Sequence, residues 1–409
     1  MRRLDYLLKT SRGNRDRYMA RYARRLNFRI SQEPYSKNSM TQTEQLRFQQ
    51  EIFDYMERSK RKAFKGPVIL KMDFFPSRGN PPSIHQLAKN YLDLLWRPVE
   101  GLRNPRLLLV DDRQISILIV NYHVQNANPT PHIEIKVAPM RDFIEDLRLV
   151  EKIRSKIGFP EDEDRTDYDE KEILYGDAKD PIEEFEMSRE SLIETGDLKG
   201  IIEDALFKRM FEMKMRDYQS AFFLMEKFNS TDLIRLYPDT ELVADDFLGQ
   251  IFEQHRKMII TYTLPPLRAE GLPVRTGGTR KFKETIRGMM QQFREEYPAL
   301  VPLLINLNLT IIYVPPRVQE VDLDNLARYI VPFINEALKP PSGVWFTGYQ
   351  QPAGFPKHTI IQYQIIKIPR SDNDPENGAV KLVFGEYSPY KDCWSDIDDV
   401  IDRWSDAVL

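Results

Sequence analysis

Residues 303–338 read LLINLNLTIIYVPPRVQEVDLDNLARYIVPFINEAL, and this stretch decides the fold. Its first part, 303–314, is an apolar run with many β-branched residues and predicts a buried strand. After a loop with two prolines, apolar residues recur at helical spacing from Asp322 to Leu338 and predict an amphipathic helix. A buried strand that leads into an amphipathic helix is the building unit of α/β folds.

The same succession of elements is predicted in the first part of the chain. VILKMDFF at 68–75 predicts a strand, and residues 83–97 predict the helix that follows it. The remaining elements predicted for the first half are an extended piece at 28–30, a helix over 41–61, strands at 107–110, 115–124 and 132–139, and a helix from Met140. Those predicted for the second half are a strand at 257–266, a helix through 282–293, strands at 344–346, 358–368 and 379–384, and a helix near 395–407. We therefore expect an α/β protein with α+β mixed sheets, in which two tandem β-α-β-α-β-β-β-α domains form a pseudo-dimer.

Four regions follow from these predicted elements. Residues 1–26 form a basic N-terminal helical arm, and residues 27–158 form the first repeat. Residues 159–256 form an acidic linker and a mainly helical central insertion, and residues 257–409 form the second repeat. Amphipathic segments within 180–256 should pack either on a protein partner or on the interface between the halves.

The composition restricts the metal chemistry and the compartment. A single cysteine, Cys393, excludes intrachain disulfides and a thiolate zinc cluster, and the five histidines lack any short ligand spacing. Any metal should therefore be held by carboxylates. Because no apolar run approaches the roughly 20 residues of a membrane span and no secretory signal begins the chain, we expect a soluble, cytoplasmic protein with no membrane contact.

A net charge of -3 conceals a separation of charge along the sequence. Residues 1–65 carry 17 Lys and Arg against 7 Asp and Glu, whereas residues 161–204 carry 5 against 18. A helix predicted over 14–26 places four arginines on one ridge, and such a ridge is typical of phosphate contact. The arginines are Arg17, Arg21, Arg24 and Arg25. An intramolecular alternative is that the basic arm docks onto the acidic segment.

The start of the predicted helix at Asp322 carries a motif. Asp-x-Asp-Asn-Leu occupies 322–326 and is followed by Arg328, and this resembles the Asp-x-Asp-Asn-Leu-x-Lys helix of the RusA family of Holliday-junction resolvases. The resemblance implies a dimeric fold, DNA as the partner and magnesium as the cofactor. It also implies an Asp-Asp turn after the next strand, which completes a carboxylate cluster. Crowded carboxylates resist ionising together unless a cation lies between them.

The two halves keep different parts of this motif. In the second half the turn after the helix reads VWFTG at 344–348 and carries no acid. In the first half, Asp111 and Asp112 resemble the Asp-Asp turn, and Lys89 lies where the family has its lysine. Neither half has three carboxylates by itself.

Aligning the two predicted helices shows what the first half lacks. Asp322 corresponds to Ser83 and Asp324 corresponds to His85. A neutral imidazole can ligate a metal, but magnesium prefers oxygen ligands.

The resemblance implies a role for each matching residue. Catalytic roles fall to Asp322, Asp324, Asp111, Asp112 and Lys89, and magnesium ligation falls to Asp322, Asp324 and Asp112. Nucleic-acid binding is expected for Arg328 and, from the basic ridge and not from the resemblance, for Arg17, Arg21, Arg24 and Arg25. Simpler interpretations stay open for the same residues. Aspartates cap helices and fill turns, and a helical lysine is often only solvated.

Three functions follow from this division of the motif. The first is a DNA-binding protein related to RusA-type resolvases that is catalytically degenerate and binds branched or duplex DNA. The second is an active, magnesium-dependent, structure-selective endonuclease whose acids meet across the pseudo-dimer interface, although family sites should draw their acids mainly from one subunit. The third is a structural subunit of a nucleoprotein assembly that docks through its helical insertion. The separation of Asp322 and Asp111 distinguishes the first two functions.

Overall fold

The structure of the chain is a computed structural model. It describes residues 3–77, 81–102, 107–123, 130–157, 206, 213, 215–217, 219–220, 228, 230–237, 261–264, 278–297, 300, 303–317, 320–338, 359–370, 372, 378–387 and 392–408. Most of the predicted insertion, and the predicted strand at 344–346, therefore lie outside the described residues. So do the whole acidic segment at 161–204 and the VWFTG turn.

Helices and strands alternate through both halves. The first half contains α1 (Arg3–Lys9), α2 (Ser11–Tyr22), β1 (Leu26–Ile30), α3 (Gln42–Arg58), β2 (Val68–Phe75), α4 (Ile84–Trp96), a 3-10 turn (Asp112–Gln114), β3 (Ile115–Tyr122), β4 (His132–Pro139) and α5 (Met140–Ile157). The described residues that follow contain α6 (Ser230–Leu236), β5 (Thr261–Leu264), α7 (Gly278–Glu296), β6 (Leu307–Val314), α8 (Leu323–Leu338), β7 (Ile360–Lys367), β8 (Ala379–Glu386) and α9 (Cys393–Ala407).

Local sequence signals explain where several elements begin. The α3 helix starts at a capping box, in which the Thr41 hydroxyl accepts from the Glu44 amide and the Glu44 carboxylate accepts from the Thr41 amide. The α9 helix starts after Asp392, whose carboxylate accepts from the amides of Trp394 and Ser395 at 3.1 and 2.9 Å. Gly378 precedes β8 with a φ of +69°, a conformation that favours glycine.

One eight-stranded mixed sheet joins the two halves, in the order β1-β4-β2-β3-β7-β6-β8-β5. In the first half, β2 pairs with β3 in parallel and with β4 antiparallel, and β1 pairs antiparallel with β4. In the second half, β6, β7, β8 and β5 repeat these pairings in the same senses. The antiparallel pair β3 and β7 forms the junction. From the β3–β7 junction outward, equivalent strands therefore follow in the same order, β2, β4 and β1 on one side and β6, β8 and β5 on the other.

The strand register shows a pseudo-twofold axis at the junction. Val68 faces Ile115 in the first half and Leu307 faces Ile360 in the second, and a register shift follows each of these pairs. Ile115 and Ile360 are therefore equivalent positions in β3 and β7. Four residues further along each strand, Ile119 and Gln364 are also equivalent, and these two residues pair with each other across the junction. The pseudo-twofold axis passes through this pair.

The spacing from strand to helix is also equal in the two halves. The α4 helix begins at Ile84, 16 positions after the start of β2, and α8 begins at Leu323, 16 positions after the start of β6. Position 83 therefore corresponds to position 322, as the sequence alignment of the helices predicts.

Helices cover both faces of the sheet. One core lies between the sheet and α3, α4, α7 and α8, and it receives Leu70, Met72 and Phe74 from β2. The other core lies between the opposite face and α2, α5, α6 and α9, and it receives Ile69 from the same strand. Alternate side chains of a strand point to opposite faces, so the molecule has three layers.

The α/β class is confirmed, but two predicted elements need correction. The predicted strand at 107–110 is a single parallel bridge between Leu109 and Phe64, so the described order in each half is β-α-β-α-β-β-α. The basic helix predicted over 14–26 starts earlier, at Ser11, and ends at Tyr22, because Leu26 belongs to β1. Among the described residues, every helix is too short or too polar to cross a membrane.

Candidate metal centre

A polar stripe runs along the largely apolar helix α4. His85, Lys89 and Asp93 are spaced four residues apart and so share one face of the helix. The Lys89 ammonium lies 2.5 Å from Oδ2 of Asp324 and 3.2 Å from Oδ1 of Asp93. A side chain from the first half thus reaches a carboxylate of the second half, where α4 packs against α8.

The first turn of α8 holds two carboxylates. The Asp324 side chain is 2% exposed, and its Oδ1 accepts from the Asn325 amide at 2.6 Å. Asp322 lies at the rim, where its carboxylate accepts from the Asn325 side-chain amide at 3.2 Å and lies 3.6 Å from the Arg113 guanidinium. The partial positive charge at the N-terminus of a helix stabilises acids placed there.

The 3-10 turn before β3 supplies a third carboxylate at this centre. Asp111 caps the turn, because its carboxylate accepts from the Arg113 amide at 2.8 Å while its own amide donates to the Gln114 side chain at 3.0 Å. The next residue, Asp112, is buried. The turn therefore gives its two aspartates different roles, one as a cap and one in the centre.

Three carboxylates from three elements come together. One ligand atom each from Asp93, Asp112 and Asp324 lies within 4.8 Å of the other two. Magnesium binds oxygen at about 2.1 Å, so two opposite ligands of one ion lie about 4.2 Å apart. The ligand atoms of these three aspartates, all within 4.8 Å of one another, lie close to this separation. The residues present therefore fit a magnesium ion, which the resemblance implies.

We call Asp93, Asp112 and Asp324 the acid trio. Burial and crowding shift the pKa values of Asp112 and Asp324. Burial, together with the charge of Asp322, raises the pKa of Asp112 to about 6. Burial also raises the pKa of Asp324, although the Lys89 ammonium opposes this shift. For Lys89, burial acts to lower the pKa, but the carboxylates of Asp324 and Asp93 together more than offset it, so the pKa is raised and the side chain stays protonated. The three carboxylates of the trio face two ammonium groups, that of Lys89 and that of Lys37, which lies 3.2 Å from Oδ2 of Asp93. The one carboxylate in excess favours binding of a further cation.

The structure brings some of the predicted site residues together and separates others. Asp112, Asp324 and Lys89 meet, and Asp322 lies beside them at the rim. Asp111 is a cap outside the acid trio. The first half supplies Asp93 and Asp112 and the second half supplies Asp324, so two of the three acids come from one half and the third comes from the other. Packing of α4 on α8 brings them together.

Sequence reasoning missed Asp93. It lies one helical turn after Lys89 and two turns after His85. A polar stripe on a helix whose other residues are mostly apolar was a usable signal, because burying such groups without partners is costly. His85 is buried too but lies outside the acid trio, and Arg328 is exposed on α8.

The predicted arginine ridge is tied to the protein by ion pairs. Arg21 lies 2.6 Å from Asp146, and both side chains are at most 7% exposed. Arg25 reaches Asp146 at 3.0 Å and Asp398 at 2.8 Å. Because Arg21 and Arg25 are buried in these ion pairs, their role is structural. Nucleic-acid binding stays a prediction for the other two, Arg17 and Arg24, whose side chains are 30% and 46% exposed and which pair with Glu145 and Asp142.

No model of a known protein family matches the chain, and no curated protein matches it either. The functional interpretation therefore depends on the geometry of the acid trio and on the motif at 322–326.

Proposed function

We propose that the chain is a magnesium-dependent endodeoxyribonuclease that resembles RusA-type resolvases and acts on branched DNA. The observation that carries this proposal is the approach of Asp112 in the first half to Asp324 in the second, with Asp93 beside them. Asp112 and Asp324, which belong to different halves of the sequence, thus join Asp93 in one set of three carboxylate ligands. The proposal therefore prefers an active enzyme over the catalytically degenerate protein that the sequence favours.

Each residue of the centre has a task in such a reaction. Asp93, Asp112 and Asp324 would hold magnesium, which when bound supplies an activated water and stabilises charge on the scissile phosphate. Lys89 remains protonated beside them and can donate a hydrogen bond to a phosphate oxygen. Arg113 and Arg328 are exposed and can contact the DNA backbone.

The sheet supports the idea of a duplicated domain. Both halves have the same strand order, the same pairing senses and the same spacing from strand to helix. We infer that two RusA-like domains were joined in tandem and that they form a pseudo-dimer within one chain. The composite centre follows from this arrangement, since each half contributes acids that the other lacks.

Cleavage of a four-way DNA junction tests the proposed function. With magnesium present, Asp324→Asn and Asp112→Asn should each reduce the cleavage rate by at least about 100-fold, because a lost ligand removes charge compensation at the ion. Asp399→Asn is a matched control, since the Asp399 side chain is 63% exposed on α9, and α9 packs on the opposite face of the sheet from α4 and α8. It should cleave at nearly the rate of the natural protein. Equal losses in all three variants, or no cleavage by the natural protein, would contradict the proposal.

One observation favours the alternative of a DNA-binding protein without nuclease activity. Lys89 already bridges Asp93 and Asp324, so the centre has an internal cation. Under this alternative the chain binds junction DNA with steep salt dependence but does not cleave it when magnesium is present. Magnesium also does not protect the protein from unfolding. The same junction, assayed for binding and for cleavage, separates the two functions.

A further inference from the structure

The pseudo-twofold axis relates the acid trio to a second position whose chemistry is different. The equal strand-to-helix spacing assigns a counterpart to each residue contributed by α4 and by the start of α8. Asp322 corresponds to Ser83, Asp324 to His85, Arg328 to Lys89 and Pro332 to Asp93. The second position therefore has no carboxylate at any of these counterparts.

The sequence also excludes an acidic counterpart of Asp112. This aspartate lies between α4 and β3, so its counterpart lies between α8 and β7. From Glu336 to Asp372 the sequence contains no other aspartate or glutamate. The sequence between α8 and β7 therefore supplies no carboxylate, and it contains two lysines, Lys339 and Lys357.

Charge determines what each position can bind. The acid trio has an excess of carboxylates and suits a divalent cation. The second position combines serine, histidine and arginine, which bind a phosphate but cannot replace the hydration shell of magnesium with anionic oxygens. A pseudo-dimer with one metal centre is therefore asymmetric in activity although it is symmetric in fold.

We propose that each chain contains one metal-binding locus and cuts one DNA strand per binding event, so that it is a nicking enzyme and not a two-cut resolvase. This inference rests on the proposed function. Each cut is a hydrolysis in which the oxygen of water bonds to phosphorus and one P–O bond to a sugar breaks. One proton of the water ends on the leaving oxygen and the other goes to solvent from the new phosphate end. A coordinated second cut would need a second metal locus.

A supercoiled plasmid with an extruded cruciform counts the cuts. The assay is run with the full chain at a concentration at which light scattering shows it to be monomeric. One cut relaxes the plasmid and yields a nicked circle, whereas two cuts within one complex yield a linear molecule. The expected product is the nicked circle. Linear product formed without a nicked intermediate would overturn the inference while leaving the proposed nuclease function intact.

Binding of Mn²⁺ alone, followed by electron paramagnetic resonance, gives a readout that is independent of cleavage. Asp324→Asn should abolish all saturable binding, and Asp399→Asn, which removes an exposed carboxylate of α9, should leave it unchanged. If about half of the bound Mn²⁺ remained in Asp324→Asn, a second locus would exist and the inference would be wrong. If Asp324→Asn abolishes the saturable binding but the natural protein does not cleave DNA, the nuclease proposal is contradicted and the single locus is supported. Absence of saturable binding in the natural protein would overturn both.

Discussion

At the scale of single residues, Asp112 shows how the candidate centre affects stability. Burial, together with the charge of Asp322, raises the pKa of Asp112 to about 6, above the ordinary value of 3.8. The folded state therefore binds this proton more tightly than the unfolded state does. The associated stability is fully present below about pH 3.8 and is lost as the pH rises through about 6. At neutral pH the ionised carboxylate destabilises the metal-free protein.

We predict that Asp112→Asn stabilises the metal-free protein at pH 7. The variant has no charge to bury, and we expect a gain of about 1 kcal/mol, since solvent screening reduces the effect that the pKa alone implies. The gain should vanish near pH 4, where the natural residue is largely protonated. Urea unfolding with a chelator present, at both pH values, measures this difference.

Asp111→Asn is the control for this prediction, and its effect has the opposite sign. The hydrogen bond from the Arg113 amide lowers the pKa of Asp111, so this carboxylate stabilises the protein above its ordinary pKa. Asp111→Asn should therefore lose a little stability at pH 7. A loss of stability in Asp112→Asn at pH 7 would show that its carboxylate is satisfied by partners and is not held for a cation.

At the scale of elements, α2 attaches the N-terminal arm to helices of both halves. Arg25, just after α2, lies between Asp146 of α5 and Asp398 of α9, at 3.0 and 2.8 Å. Its guanidinium also lies 4.8 Å from the centre of the Tyr22 ring and 5.3 Å from that of Trp394. The arm therefore connects α5 of the first half to α9 of the second half on one face of the sheet.

We predict that Arg25→Met destabilises the protein by about 3 kcal/mol, because it leaves the buried Asp146 with a weakened set of partners. Arg403→Met is the matched control. Arg403 lies 2.7 Å from Asp399 on α9, both side chains are more than half exposed, and exposed ion pairs contribute less than about 1 kcal/mol. Urea unfolding of both variants gives the comparison. Equal losses would mean that burial does not distinguish the two pairs.

At the scale of the whole molecule, the two halves form one continuous structure. The β3 and β7 strands pair across the pseudo-twofold axis. On one face, Lys71 of β2 lies 2.7 Å from Asp392, the cap of α9, and Lys136 of β4 lies 2.7 Å from Asp398. Each half thus satisfies buried charges of the other.

We predict that the two halves unfold together. Separating them would expose the β3 and β7 edges and leave Asp392, whose side chain is fully buried, without its lysine. Urea transitions followed by far-ultraviolet circular dichroism and by tryptophan fluorescence should coincide, since Trp96 and Trp394 report on different halves. Two separated transitions would show that the halves are independent domains.

Local patterns were sufficient for much of the fold. The strands at 68–75 and 132–139 were predicted with the bounds that the structure has, and the helix predicted over 83–97 spans Ile84–Trp96. Apolar periodicity determines such elements because each must bury one face or both. The two predicted helices by themselves align Asp322 with Ser83, whereas the equal spacing from strand to helix is found only with the strand bounds of the structure.

Local sequence patterns did not determine the candidate metal centre. Asp112 and Asp324 are 212 positions apart, and nothing in either segment indicates that the two carboxylates meet. Their approach depends on the antiparallel pairing of β3 with β7 and on the packing of α4 against α8, which also brings in Asp93. The same applies to the arginine ridge, whose partners lie on α5 and α9. By itself the sequence determined the elements, their repetition and the division of the acidic motif between the halves. Only the tertiary structure decided that the parts of that motif form one centre, because contacts between distant segments arise from packing and not from local periodicity.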